Sequence, residues 1–284
     1  MQGFSAKTVL ITGAASGIGA ALAIESARRG MHLVVCDRDA APLQELAERL
    51  EAGGALSVRI CVFDVLDVAA TRVAVESVLT EREGIDLLFC NAGILSAGRL
   101  WEGTDDALNQ VIDVNLKGVL NTIRACVPAM LARKERSRLV ITGSMGGFIP
   151  SPMLGAYSAS KAALAVIAET LHFDLQAIGA PIDVSFLAPG AVRTAIFSQA
   201  NPSQADSDAS GASFMEALRR GSAQVGMDPA VLAVLTFEAI EAGQFWIFPH
   251  PEMLPAVSER LRTMLAGKAP NFDFQRSFRR PGSN

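Results

Sequence analysis

The chain has 284 residues, half of them apolar, and a formal net charge of −4 with acidic and basic side chains mixed along its length. That is enough for one or two domains around a large core, and the charge balance argues against nucleic acid or an acidic membrane as the main partner. The longest apolar run, Ile85 to Cys90, is broken by Asp86 and falls well short of the roughly 18 residues of a membrane span.

In chain order, short β-branched or apolar runs alternate with amphipathic, Ala- and Leu-rich stretches. The predicted strands are 7–12, 32–36, 57–63, 86–90, 138–142, 182–187 and 245–248. The predicted helices are 17–29, 40–52, 68–82, 105–133, 156–178, 229–242 and 251–266. Strands apolar on both sides and separated by helices imply a parallel sheet covered on both faces. With right-handed crossovers this becomes a doubly wound α/β fold of about seven strands. Two segments break the rhythm. Residues 199–213 read as a mobile loop followed by a short helix around 213–220. Residues 268–284 read either as a disordered tail or, because Phe272, Phe274 and Phe278 crowd into it, as a clasp on a partner subunit.

The apolar run after the N-terminus, Thr8 to Thr12, is too short for a signal-peptide core, so a cytoplasmic location is expected. Cys36, Cys61, Cys90 and Cys126 lack CxxC spacing and read as small buried hydrophobes. His32, His172 and His250 are too scattered to indicate a metal site, and none is a good candidate for catalysis.

The first strand runs into Thr12-Gly13-Ala14-Ala15-Ser16-Gly17-Ile18-Gly19 and then a helix. Glycines at such a turn let backbone N–H groups approach a pyrophosphate whose charge the helix N-terminus favours, although small residues there also permit tight helix–strand packing. The second strand ends at Asp37, placed to accept hydrogen bonds from ribose hydroxyls and to repel a 2′-phosphate. This favours NAD. The neighbouring Arg38 leaves NADP open, since a guanidinium pairs with that phosphate. Asp64, Asn91-Ala92-Gly93 and Thr142-Gly143-Ser144 all fall at C-terminal strand ends, where open α/β sheets bind ligands, although Asp and Asn are also common turn formers.

Tyr157, the one tyrosine of the chain, precedes Lys161 by four residues. On a helix the two share a face, about 5–6 Å apart at Cβ. An ammonium that close favours the phenolate and lowers the tyrosine pKa, which makes a proton-transfer couple; the competing reading is a half-buried tyrosine before a surface lysine.

Taken together, Thr12-Gly13-x-x-x-Gly17-x-Gly19, Asn91-Ala92-Gly93, Asn115, Ser144, Tyr157-x-x-x-Lys161 and Pro189-Gly190 with Thr194 resemble the short-chain dehydrogenase/reductase family over about residues 5–250. The resemblance implies a Rossmann-type catalytic domain over 1–267 with a substrate loop at about 195–226. It implies Tyr157 as general acid/base, Ser144 orienting the substrate oxygen, and Lys161 binding the nicotinamide ribose and keeping Tyr157 acidic. Asn115, inside the predicted helix 105–133, is similar to the family's asparagine that holds a water in a proton relay. Gly13, Ser16, Gly17, Ile18, Gly19, Asp37, Arg38, Asp64, Val65, Asn91, Ala92 and Gly93 match positions lining the dinucleotide. Pro189, Gly190, Val192 and Thr194 match the segment against its nicotinamide half.

The chain departs from compact members, which stop near 250 residues, by continuing through Phe248-Pro249-His250-Pro251-Glu252 and a further helix. It thus looks unlike the ketoacyl-carrier reductases; longer members with a His-Pro turn include dehydrogenases of aryl, steroid-like and other bulky secondary alcohols. The expected substrate wall holds Met145, Phe148, Ile149, Met153, Leu154, Ile196, Phe197, Phe214 and Met215, which suits a hydrophobic alcohol or ketone. Family resemblance points to a homodimer or homotetramer through helices 105–133 and 156–178. A catalytically silent dinucleotide-binding protein is the alternative of a different class.

Overall fold

The computed structural model describes residues 3–82, 84–101, 105–197 and 209–271. Seven parallel strands form one sheet: β1 (Thr8–Thr12), β2 (His32–Asp37), β3 (Ser57–Val62), β4 (Leu87–Cys90), β5 (Ser137–Thr142), β6 (Ile182–Leu187) and β7 (Trp246–Ile247). Their order across the sheet is β3-β2-β1-β4-β5-β6-β7, so the chain reverses direction between β1 and β4. That reversal opens a crevice at the C-terminal strand ends, the place where ligands bind in this architecture.

The strands are apolar throughout because both faces are covered. Along β1 and β4, Val9, Ile11, Leu87 and Phe89 enter one core layer, while Leu10, Leu88 and Cys90 enter the other. The first layer is closed by Leu22 of α1 (Gly17–Arg28), Leu43, Leu46 and Leu50 of α2 (Ala40–Ala52) and Phe237 of α9 (Pro229–Glu241). The second is closed by Val75 and Val78 of α3 (Val68–Glu81), Ile123 and Cys126 of α5 (Gly118–Arg133) and Leu164 and Ala168 of α7 (Gly155–Ala177). The predicted strands and most of the predicted helices are therefore present with small shifts at their ends.

Three local features differ from the sequence reading. The stretch expected as one helix over 105–133 is α4 (Asp105–Ile112) and α5 joined by a π-helical turn, Asp113–Lys117. Such turns widen a helix by one residue and are common at functional sites. A four-residue helix, α6 (Met145–Phe148), follows β5; the Ser144 hydroxyl caps it by accepting from the Gly146 N–H at 3.0 Å. The helix expected around 213–220 is longer, α8 (Ala209–Val225). The C-terminal helix α10 (Leu254–Leu265) follows a 3-10 turn at Pro251–Met253. Residues 198–208, most of the expected mobile loop, lie outside the described residues, as do the three phenylalanines of the tail.

Not every cysteine is a buried hydrophobe. Cys36, Cys90 and Cys126 are buried, but Cys61 lies on the edge strand β3 and is half-exposed, directly beside Cys36 in the strand register. Among the described residues, no helix is long and apolar enough to cross a membrane.

Candidate active site

A cavity of about 370 Å³ runs along the C-terminal strand ends, from the glycine turn past Asp37 and Asn91 to Ser144, Tyr157 and Lys161. At one end, Gly13 and Gly17 have φ values of 65° and 54°, in the left-handed region that favours glycine. A Cβ on Gly19 would stand 2.0 Å from the Gly13 carbonyl oxygen. The turn therefore folds tightly onto itself and brings the start of α1 to the cavity, with Gly13, Ser16, Gly17 and Ile18 on its wall. Gly19 packs the turn rather than lining the cavity.

Asp37 closes β2 with its carboxylate spanning two backbone groups. It accepts from the Ala15 N–H at 2.9 Å and from the Asp39 N–H at 3.2 Å. Arg38 also lines the cavity, and its guanidinium is 4.0 Å from Asp39. Asp64 accepts from the Leu66 N–H at 2.9 Å, and the Val65 carbonyl accepts from Asn121 at 3.0 Å, which holds both residues at the rim.

The Asn91 side chain is turned toward the glycine turn. It donates to the carbonyls of Thr12 at 3.1 Å and Gly13 at 3.2 Å, tying β4 to the end of β1. The Thr12 hydroxyl completes the tie by accepting from the Asn91 N–H at 3.0 Å. Ala92 and Gly93 continue along the cavity wall, and a Cβ on Gly93 would lie 3.2 Å from Lys161 Nζ and 3.3 Å from Asn115 Oδ1. Gly93 is thus the spacer that lets Lys161 and Asn115 approach the same point.

Asn115 occupies the π-helical turn and is completely buried. Its Oδ1 accepts from the Ile94 N–H at 2.8 Å, while Nδ2 donates to the Ile94 carbonyl at 3.0 Å and to Ser160 Oγ at 3.1 Å. Both donors are spent on the protein, and Oδ1 keeps one acceptor site. Lys161 is buried and donates to the Thr142 carbonyl at 3.0 Å. Its ammonium stands 5.9 Å from the centre of the Tyr157 ring.

The ionisation of this pair departs from the sequence expectation. Burial pushes the Tyr157 phenol above its ordinary value, with a hydrogen bond to Ser144 acting in the opposite direction. Burial also brings the Lys161 amine down from 10.5 to about 8. Proximity alone predicted an acidified tyrosine, but burial disfavours charge on either group and sets the direction of both shifts.

The segment after β6 forms the opposite wall, with Pro189, Gly190, Val192 and Thr194 all on it. Of the expected substrate wall, Met145, Ile149, Leu154, Ile196 and Phe197 line the cavity. Phe148 does not: its ring packs edge-on against Phe186, Trp246 and Phe248 behind the site. Met153 and Phe214 belong to the small apolar cluster around Tyr157, and the Met215 side chain lies outside the described residues. Leu218 of α8 and Met253 also line the cavity. The sequence carried no signal for either, because each arrives from an element beyond the motif-bearing strands.

The residues present fit a nicotinamide dinucleotide. The glycine turn leaves space that any Cβ would fill, and Ser16 starts α1 without capping it through its side chain, so backbone donors at that end remain for an anion. Among the described residues, no group of three metal-ligating side chains gathers here or elsewhere.

A family model described as short chain dehydrogenase matches residues 7–205. The chain is 30% identical over 279 residues to the CLA biosynthesis dehydrogenase/reductase of Lactiplantibacillus plantarum, covering 95% of this chain and 97% of that protein. Its fold is similar to the crystal structure of a short chain dehydrogenase/reductase from Burkholderia phymatum in complex with NAD, with a TM-score of 0.90, 32% identity, and 96% and 99% of the two chains covered. The apo form of LigD from Sphingobium sp. strain SYK-6 is similar at a TM-score of 0.77 and 28% identity, over 94% of this chain and all of that one, 100%.

Proposed function

The chain belongs to the short-chain dehydrogenase/reductase family of oxidoreductases, and from that premise we propose that it is an NAD-dependent dehydrogenase of a hydrophobic secondary alcohol, acting reversibly on the corresponding ketone. The observation that carries this reading is the convergence of Ser144, Tyr157 and Lys161 on one wall of a cavity whose far end is the glycine turn. Bound nicotinamide dinucleotide supplies the hydride acceptor or donor and, when oxidised, a positive charge at the reacting centre.

Tyr157 exchanges the proton with the substrate oxygen, and Ser144 orients that oxygen through its hydroxyl. Lys161, with a pKa of about 8, stays mainly protonated at pH 7 and titrates close enough to neutrality to pass a proton. It also binds the nicotinamide ribose. Asn115 assists through the acceptor site left on Oδ1, which holds a water between it and the ammonium. Met145, Ile149, Leu154, Ile196, Phe197 and Met253 give the substrate end an apolar wall, which favours a hydrophobic alcohol.

Two carboxylates, Asp37 and Asp39, face the cavity beside the one guanidinium of Arg38. That balance favours ribose hydroxyls over a 2′-phosphate and hence NAD. Arg38 is the observation behind the competing reading, an NADP-dependent ketone reductase. Residues 1–267 act as one catalytic domain in this proposal. Val166 and Phe173 of α7 expose apolar side chains, which supports packing of that helix against a second copy.

A screen of hydrophobic secondary alcohols with NAD, followed by NADH absorbance, tests the proposal. Tyr157→Phe is expected to lower turnover by about 10²–10⁴-fold while NADH binding stays nearly intact. An active Tyr157→Phe enzyme would sink the mechanism, and a clear preference for NADPH in binding would replace NAD by NADP.

A further inference from the structure

The segment after β6 is held from an unexpected direction. Pro189, Gly190, Ala191 and Val192 line the cavity, on the wall that the family resemblance gives to the nicotinamide half of the cofactor. The Pro189 carbonyl accepts from Met145 at 2.8 Å and the Ala191 carbonyl accepts from Met227 at 2.9 Å. Between these anchors, the Gly190 N–H donates to Nδ1 of His250 at 3.0 Å. The other ring nitrogen, Nε2, lies 3.1 Å from the Ala191 carbonyl. His250 is buried and comes from the C-terminal extension, 60 residues further along the chain.

We infer that His250 is a positioning residue for the cofactor: its neutral imidazole clamps the Gly190–Ala191 peptide, so that dinucleotide affinity depends on the protonation of a residue that never touches the reacting atoms.

One ring nitrogen must accept and the other must donate, and only the neutral tautomer with hydrogen on Nε2 does both. Protonation at Nδ1 would set an N–H against the Gly190 N–H and break that half of the clamp. Burial lowers the His250 pKa, with the Glu252 carboxylate and the bond to Ala191 acting in the opposite direction. The charged group acting on the ring is Glu252, on its own turn. The facing segment presents the Gly190 amide and the Ala191 carbonyl, and Met253 packs alongside. The neutral clamp is therefore the form at pH 7 and is lost in acid.

The fit is close as well as polar. A Cβ on Gly190 would stand 2.6 Å from Met253 Sδ and 3.0 Å from His250 Cγ, so the ring and the thioether pack against a position with no room for a side chain. The C-terminal extension thus shapes the cofactor wall through His250 and the cavity lining through Met253.

This inference rests on the proposed dinucleotide site, and the test separates the two. NAD⁺ binding is measured by calorimetry from pH 5.5 to 8 for the wild type, His250→Ala and His250→Asn, and the tautomer is read from ¹⁵N-histidine NMR of the cofactor-free protein. His250→Ala strands a buried donor and is expected to weaken binding about tenfold. His250→Asn restores an acceptor that does not titrate. It is expected to stay within about threefold of the wild type at pH 7 and to lose the wild type's decline in affinity in acid.

The NMR spectrum should report a neutral ring carrying its proton on Nε2 at pH 7. An Nδ1–H tautomer, a charged ring at pH 7, or parallel pH profiles for wild type and His250→Asn would overturn the clamp. So would wild-type affinity in His250→Ala. If His250→Ala does not fold, the Asn profile and the NMR signature still decide. A wild type that binds neither NAD nor NADP overturns the functional reading and the clamp together, whereas normal wild-type binding with an indifferent His250→Ala overturns the clamp alone.

Discussion

Replacing Lys161 by methionine should make the protein more stable at neutral pH while ending its catalysis. The amine is 4% exposed, and burial brings it from 10.5 to about 8. That gap corresponds to about 3 kcal/mol of destabilisation wherever the ammonium is protonated in both folded and unfolded states, which is below pH 8. Between pH 8 and 10.5 the folded amine has released a proton that the unfolded one keeps. The unfolded state then binds more protons, so the penalty fades as pH rises. Methionine removes the penalty but strands the Thr142 carbonyl, which now accepts from Nζ at 3.0 Å, at a cost of about 1–3 kcal/mol. The net expectation is a gain of up to about 2 kcal/mol at pH 7, or several degrees in Tm, shrinking and then reversing as pH rises.

Thermal unfolding of both proteins at intervals from pH 7 to 9.5 measures this. Absolute slopes are confounded, because the hydrogen bond with Cys61, together with burial, raises the Cys36 thiol, and burial raises the thiols of Cys90 and Cys126 and the Tyr157 phenol. These groups keep protons in the folded state that the unfolded chain loses, so they erode stability as pH climbs. The thiols do so in both proteins and cancel in the difference. A difference in stability that does not change with pH would refute the assignment of a strained, buried ammonium.

Two further predictions follow from single contacts. Gly19→Ala places a methyl 2.0 Å from the Gly13 carbonyl oxygen, so the turn must open; dinucleotide binding measured by fluorescence titration should weaken by at least about 100-fold, and affinity within about threefold of wild type would refute the role given to the turn. Cys61 is drawn down to about 7 by the neighbouring Cys36 thiol and the Arg59 guanidinium, so iodoacetamide at pH 7.5 should alkylate it well before Cys90 and Cys126 in the folded protein. Peptide mapping after partial labelling checks the order, and modification of Cys126 first would refute it.

The strands were legible because a parallel sheet covered on both faces leaves an unambiguous apolar run between Gly- and Asp-rich ends. The π-helical turn was not. Residues 105–133 keep helical periodicity straight through it, and what widens the helix is Asn115 meeting Ile94 and Ser160, partners 21 and 45 residues away. Phe148 was misplaced for a related reason. It belongs to a methionine- and glycine-rich stretch beside Ser144, but the aromatic cluster of Phe186, Trp246 and Phe248 draws its ring away from the cavity. Leu218 and Met253 were missed because shape, and not chemistry, recruits them.

Spacing also predicted the partners of Tyr157 better than it predicted their charge. Four residues along a helix fix how near Lys161 comes, and the ammonium does lie 5.9 Å from the ring centre. Ionisation depends on how much water each group has lost, and that is set by Thr142, Gly93 and the apolar cluster of Leu95, Val111, Leu154 and Leu218 around the tyrosine. With both groups buried, a neutral phenol and a weakly held ammonium proton are the resting condition. A positive charge placed beside them would meet a low-dielectric site in which its effect is large. Local sequence therefore specifies which ionisable groups meet, while the packing of distant side chains specifies how readily each holds its proton.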